Sequence, residues 1–132
     1  MIEAGHIEAL KSLVGEKGLL TGPADMAAYE TGARYDKGRA AFVARPATTA
    51  ETSAVVSYCA RNAIALVPQS RNTGLVSGST PDGSGRQGIL SLDRLTAPFE
   101  LDRVNRTVKA GAGLRLSDLN GRLEGTGLFL PI

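Results

Sequence analysis

Apolar positions at Ile2, Ile7, Leu10, Leu13 and Val14 fall at helical spacing, and Gly15 and Gly18 end that helix. Thr21-Gly22-Pro23-Ala24-Asp25 predicts a turn into a short helix through Tyr29. Residues 31–39 form a polar connector that carries Arg34, Lys37 and Arg39. Ala41-Phe42-Val43-Ala44 then reads as a strand, closed by Arg45-Pro46. Thr48 or Thr49 is placed to cap a following helix, and Glu51 sits in its first turn, where the helix dipole favours a carboxylate. That helix is expected to run to about Asn62, with Thr52, Val55, Val56, Cys59 and Ala60 as its buried stripe. Ile64 to Val67 is the next strand. A strand–helix–strand unit with so short a crossover predicts parallel pairing and a right-handed connection.

A long polar segment, 68–86, separates that strand from Gly88-Ile89-Leu90-Ser91-Leu92, the third strand. Phe99–Asp102 and Thr107–Ala110 predict a hairpin around residues 103–106, and Gly111-Ala112-Gly113 breaks its second strand. Leu114 to Leu123 reads as a helix with Leu114, Leu116, Leu119 and Leu123 on its apolar side; Gly125 and Gly127 end it. Leu128–Ile132 is an apolar strand or strand exit. A finished domain rarely ends on so apolar a segment, so the expectation is a piece of a longer protein.

Composition narrows the class. With 132 residues, 42% apolar and 21% charged, the chain is globular and at most one domain. A net charge of +2 and the absence of Trp give no footprint for nucleic acid. Cys59 stands alone, so no internal disulfide forms, which fits a reducing compartment. The first residues lack a basic and apolar leader, and no apolar run approaches a membrane span. The expected location is the cytoplasm.

The chemistry concentrates in the segment from Pro68 to Ser79. Ligands in parallel sheets sit beyond the carboxyl ends of strands, and this segment is in that place. It offers no metal ligands and no nucleophile–base pair, so it suits anion binding by backbone N–H groups. A Walker loop would need Lys before Ser or Thr; Gly78-Ser79-Thr80 has none. A Rossmann fingerprint would need a third glycine where Leu116 stands, so Gly111 and Gly113 read as a strand-to-helix bend.

Pro68-Gln69-Ser70-Arg71-Asn72-Thr73-Gly74-Leu75-Val76-Ser77-Gly78-Ser79-Thr80-Pro81 resembles the pyrophosphate loop of FAD-linked oxidases of the vanillyl-alcohol oxidase / p-cresol methylhydroxylase superfamily. The nearest branch in pattern holds the D polypeptide of glycolate oxidase with the D-lactate and D-2-hydroxyglutarate dehydrogenases. Arg45-Pro46 with Thr48 and Glu51, Gly88 to Leu95, Thr107 to Gly113 and Gly127 to Ile132 match in order, so the resemblance runs from Tyr29 to Ile132. It implies an α+β fold: a small parallel strand–helix–strand subdomain, then the start of an antiparallel one after about Arg94. Residues 1–40 would be an N-terminal helical segment and 41–132 an FAD-binding domain, incomplete at its C-terminus.

The implied FAD contacts are Gln69, Ser70, Arg71, Asn72, Thr73, Gly74 and Leu75, then Gly78 and Ser79, with Pro131 near the flavin. Some relatives tether FAD through a His in this loop; Asn72 stands there, so the implied FAD is non-covalent. His6 reads as a surface residue and Cys59 as a core one. The family prefers Gly where Arg71 stands and often where Ser77 stands. A left-handed Arg71 would cost roughly 1–2 kcal/mol. It would either offset this by charge-assisted bonding to phosphate or block the loop.

The implied function is oxidation of a D-2-hydroxy acid by hydride transfer to FAD in the full-length protein, with a small-molecule substrate. No catalytic or metal-ligating residue is assigned within this chain. Two rivals stay open: another reductase of the same flavin fold, such as that of peptidoglycan precursor synthesis, and a non-catalytic FAD-binding or dimerising fragment. An exposed half-core also predicts self-association.

Overall fold

The computed structural model describes residues 2–34 and 36–132; Met1 and Tyr35, the latter within the expected polar connector, lie outside the described residues. In chain order the elements are α1 (Ala4–Val14), β1 (Leu19–Leu20), α2 (Pro23–Glu30), β2 (Ala40–Ala44), α3 (Thr49–Arg61), β3 (Leu66–Gln69), β4 (Gln87–Ser91), β5 (Phe99–Asp102), β6 (Thr107–Ala110) and α4 (Leu116–Leu123). Short 3-10 turns occupy Glu16–Gly18 and Ser77–Ser79.

The first sheet has the order β1-β2-β4-β3. β4 runs parallel to both neighbours, with Val43 opposite Ile89 and Gln69 opposite Ser91. β1 pairs antiparallel on the outer side of β2. Both central strands are buried on two faces, which is why they read as continuous apolar runs. α1 and α3 cover one face, packing Leu10, Val14, Val55 and Cys59 onto Phe42, Ala44 and Leu90. α2 covers the other, setting Met26 against Ala40, Val43 and Ile89. A register irregularity between Ala40 and Phe42 lets Ala40 and Val43 share a face despite their odd spacing. Gly88 leaves room for the Phe42 ring, whose atoms lie 2.2–2.7 Å from where a Cβ would be.

Two expectations about strands are corrected. The strand–helix–strand unit is parallel in sense, but β2 and β3 do not pair, because β4 lies between them. β3 also runs Leu66–Gln69 rather than Ile64–Val67, and so it contains Pro68. Proline cannot donate to a ladder and is tolerated at an edge, and the edge is where β3 sits. β4, with Ile89 at 0% and Leu90 at 6% exposure, takes the centre.

Thr48, not Thr49, caps α3: its Oγ1 accepts from the Glu51 N–H at 3.1 Å, while the Glu51 carboxylate accepts from the Ala47 N–H at 2.7 Å. The buried stripe is narrower than expected. Val55 and Cys59 are buried, but Val56 and Ala60 face solvent, because each lies one residue, about 100° of turn, beyond the stripe.

The β5–β6 hairpin forms as expected, with Phe99 opposite Ala110 and Asp102 opposite Thr107. The Asp102 carboxylate accepts from the Val104 and Asn105 N–H groups, which closes the turn. α4 starts at Leu116, later than Leu114; Leu119 and Leu123 are buried, but Leu116 is 38% exposed in the first turn. Residues 128–132 form no strand. Asn120 holds them instead, accepting from the Leu130 N–H and donating to its carbonyl.

Candidate functional site

Three connections leave the carboxyl edge of the parallel strands side by side: Arg45 after β2, Asp93 after β4, and the loop that begins at Gln69. Arg45 meets Asp93 squarely. Its Nε lies 3.1 Å from both carboxylate oxygens and an Nη lies 3.0 Å from Oδ2. The Tyr29 hydroxyl, from the last turn of α2, donates to the same carboxylate at 2.9 Å. Burial alone would push the Asp93 carboxyl up, but the bonds from Arg45 and Tyr29 outweigh it and hold it below the usual carboxylate range. Burial first, and then its bond to Asp93, raise the Tyr29 phenol.

The loop is anchored beside this cluster through main-chain carbonyls. Gln69 is 3% exposed, and its Nε2 donates to the Tyr29 carbonyl at 2.9 Å and the Ser79 carbonyl at 2.8 Å, tying both ends of the loop to α2. Asn72 has φ 54°, a left-handed conformation that Asn tolerates. Its Nδ2 donates to the Thr31 carbonyl at 2.7 Å, and its Oδ1 accepts from the Ser79 hydroxyl at 3.0 Å. Arg71 does not take up positive φ, so the cost of a left-handed conformation does not arise there; the left-handed residue is the next one. The Ser70 hydroxyl donates to the Ala112 carbonyl, and Arg71 Nε to the Gly113 carbonyl, both at 2.6 Å.

Thr73, Gly74, Leu75 and Gly78 form the exposed outer stretch of the loop. A Cβ at Gly74 would approach nothing closer than 3.7 Å, and one at Gly78 nothing within 4 Å, so this side is open. The N–H groups of residues 71–76 donate to no acceptor among the described residues. A run of unengaged amides on an open face can receive an anion.

A depression of about 240 Å³ lies beside the loop, lined by Ala28, Tyr29, Ser70, Asn72, Asp93 and Arg115, among others. Sequence reasoning missed Arg115 and the pairing of Arg45 with Asp93. A contact across 48 residues leaves no local signal, although Arg45 and Asp93 both stand where an apolar strand turns polar. Pro131 is exposed and does not line this depression. Its neighbours Leu128, Phe129 and Leu130 line a separate hollow with Leu101 and Val108.

A family model described as "FAD binding domain" matches residues 40–132. The chain belongs to this family. As an FAD binding domain it resembles proteins named as 2-hydroxy acid dehydrogenases. It is 31% identical over its whole length to a probable mitochondrial D-2-hydroxyglutarate dehydrogenase of Oryza sativa subsp. indica, covering 23% of that protein. It is 40% identical over 78 residues, 59% of the chain, to a quinone-dependent D-lactate dehydrogenase of Haemophilus influenzae, of which it covers 14%. The chain thus spans about a quarter or less of the length of these curated relatives. Similarity to solved structures shows the fold: 96% of the chain superposes on 26% of p-cresol methylhydroxylase, with TM-score 0.78 and 17% identity. A structure of alkyldihydroxyacetonephosphate synthase gives TM-score 0.84 at 14% identity, over 96% of this chain and 26% of that one. The expected fold, the FAD-binding domain of the p-cresol methylhydroxylase type, is the one observed. No described helix of this domain is long and apolar enough to cross a membrane.

Proposed function

We propose that this domain holds the pyrophosphate of FAD on the loop from Gln69 to Ser79, within a protein that oxidises a D-2-hydroxy acid. The observation that carries the reading is the run of unengaged N–H groups over residues 71–76. Gln69, buried in β3, would act by bracing the loop, as would the side chains of Ser70, Asn72 and Ser79; contact with FAD would be made through main-chain groups of Ser70, Arg71, Asn72, Thr73, Gly74, Leu75, Gly78 and Ser79. Pro131 belongs to the proposed flavin end of the site. Bound FAD would supply the hydride acceptor, and this chain supplies position and anion binding. The names of the relatives support a D-2-hydroxy acid as the small-molecule substrate. We divide the chain at residue 40: residues 41–132 carry the cofactor site, and 1–40 brace it through α2.

Non-covalent attachment is part of the proposal. Asn72 offers no tether, His6 bonds the Tyr58 hydroxyl on the α1–α3 side of the sheet, and Cys59 is 1% exposed in the core. Titration of the purified chain with FAD tests both statements. Uptake of a yellow cofactor that acid precipitation releases is the expected result; no uptake at any FAD concentration defeats the reading, and flavin that stays with the precipitate defeats the non-covalent part.

Self-association belongs to the same proposal, because Phe129 and Ile132 are 71% and 86% exposed next to the apolar hollow. Sedimentation showing a monomer across all concentrations would count against it. The lone buried Cys59 supports a reducing compartment, and we propose the cytoplasm; several relatives carry "mitochondrial" in their names, so cell fractionation is the test.

A further inference from the structure

We propose that Ser70 and Arg71 are positioning residues, a clasp that fixes the cofactor loop against the Gly111–Gly113 bend before any cofactor arrives. The inference rests on the FAD reading only for the identity of the loop's ligand. Two adjacent side chains reach two carbonyls of one bend: Ser70 Oγ to Ala112 O and Arg71 Nε to Gly113 O, each at 2.6 Å and each spanning 42 residues.

The bend is a firm anchor. Gly113 donates its N–H to the Leu95 carbonyl at 2.9 Å and Gly111 to the Pro98 carbonyl at 2.8 Å. Their missing Cβ atoms would sit 1.9 Å from the Leu92 carbonyl oxygen and 2.2 Å from that of Leu95, so the bend is pressed onto the turn that follows β4. On the opposite side, Asn72 and Gln69 fasten the same loop to the carbonyls of Thr31 and Tyr29. The loop is thus held from two sides, and the Ser70–Arg71 pair fastens the side that faces the second subdomain. With its Nε engaged, Arg71 turns its side chain toward the bend, while the amides of 71–76 have no acceptor among the described residues. An ordered loop binds with less entropy to lose, so the clasp raises affinity without touching the ligand.

The experiment uses the flavin-free full chain and measures backbone order parameters by ¹⁵N relaxation. Wild type is expected to show values of about 0.8 over residues 71–76, and Ser70→Ala/Arg71→Ala values below ~0.6, with Val67 and Ile89 unchanged. Arg71→Lys, charged but lacking the Nε–H, should behave like Arg71→Ala, and Ser70→Thr should retain the wild-type order. FAD affinity should fall on the order of tenfold in the double variant. A wild-type loop already below ~0.6, or a double variant as ordered as wild type, overturns the clasp. If wild type is ordered, the variant loosens, and neither takes up FAD, the clasp stands and the cofactor reading falls. If FAD binds while order is unaffected by the substitutions, the clasp falls and the cofactor reading stands.

Discussion

Replacing Asp93 by Asn removes one charge from the cluster beside the loop and leaves the shape almost unchanged. The amide oxygen of the Asp93→Asn variant would still accept from the Tyr29 hydroxyl, so the main loss is the partner of Arg45. The two side chains, Arg45 and Asp93, are 26% and 14% exposed, between a surface pair and a buried one. Breaking a fully buried pair costs roughly 3–5 kcal/mol and an exposed one less than about 1, so the structure sets the loss at about 2 kcal/mol. At this chain length that corresponds to a fall in Tm of roughly 6–10 °C.

The effect carries a pH signature. The folded Asp93 carboxyl titrates below its unfolded value, so its stabilisation is present above the ordinary carboxylate pKa and is lost as pH falls through the folded one. The amide of the variant cannot titrate. The stability gap between wild type and Asp93→Asn should therefore be full at about pH 7 and shrink below about pH 4, as the wild-type carboxylate becomes protonated. Urea denaturation of the flavin-free chain at a series of pH values measures it, with an unchanged m-value as the control. A gap under about 0.5 kcal/mol at neutral pH, or one that persists undiminished to about pH 2, refutes the assignment of Asp93 as the charged anchor.

Gly113→Ala would place a Cβ 1.9, 2.9 and 3.0 Å from three backbone atoms of Leu92 and Asp93, none of which can rotate away; a loss of about 3 kcal/mol or more in urea denaturation is expected, and a loss under about 1 would contradict the close approach. Thr48→Ala deletes the acceptor for the Glu51 N–H and should cost about 1 kcal/mol, with Thr48→Ser restoring most of it; equal melting of Ala and Ser variants would show that the hydroxyl does not cap α3.

Local chemistry was legible in the sequence wherever period and punctuation agree. β2, α3, β4 and the β5–β6 hairpin announce themselves through apolar runs, a Thr–Glu cap and a polar turn. β1 did not, because two residues, Leu19 and Leu20, are too short to show any period. The strand order was hidden for a different reason. Adjacency depends on which strand buries most apolar surface, and the one local clue, Pro68 inside β3, points to an edge only once β3 is known to extend past Val67. The loop's polar, glycine-bearing character and its place after β3 were readable from its residue types, but its attachments were not. Gln69, Ser70, Arg71 and Asn72 all bond to carbonyls 40 or more residues away, and a carbonyl carries no residue-type signature.

That division explains why the residue that looked most damaging in the sequence is harmless to the backbone. One concern at Arg71 was the cost of a left-handed residue there. The structure needs one a position later, and Asn72 is suited to it twice over: Asn is tolerated at positive φ, and in that conformation its amide reaches Thr31 on one side and Ser79 on the other. Freed from that constraint, residues 70 and 71 can carry side chains, and both are turned away from the open face toward the bend at 112–113. The same loop can therefore present bare backbone to a ligand while its side chains do the fastening. Glycine at position 71 would remove the bond to the Gly113 carbonyl, so the arginine ties the loop to the bend at the place where the sequence pattern left open that it would block the loop.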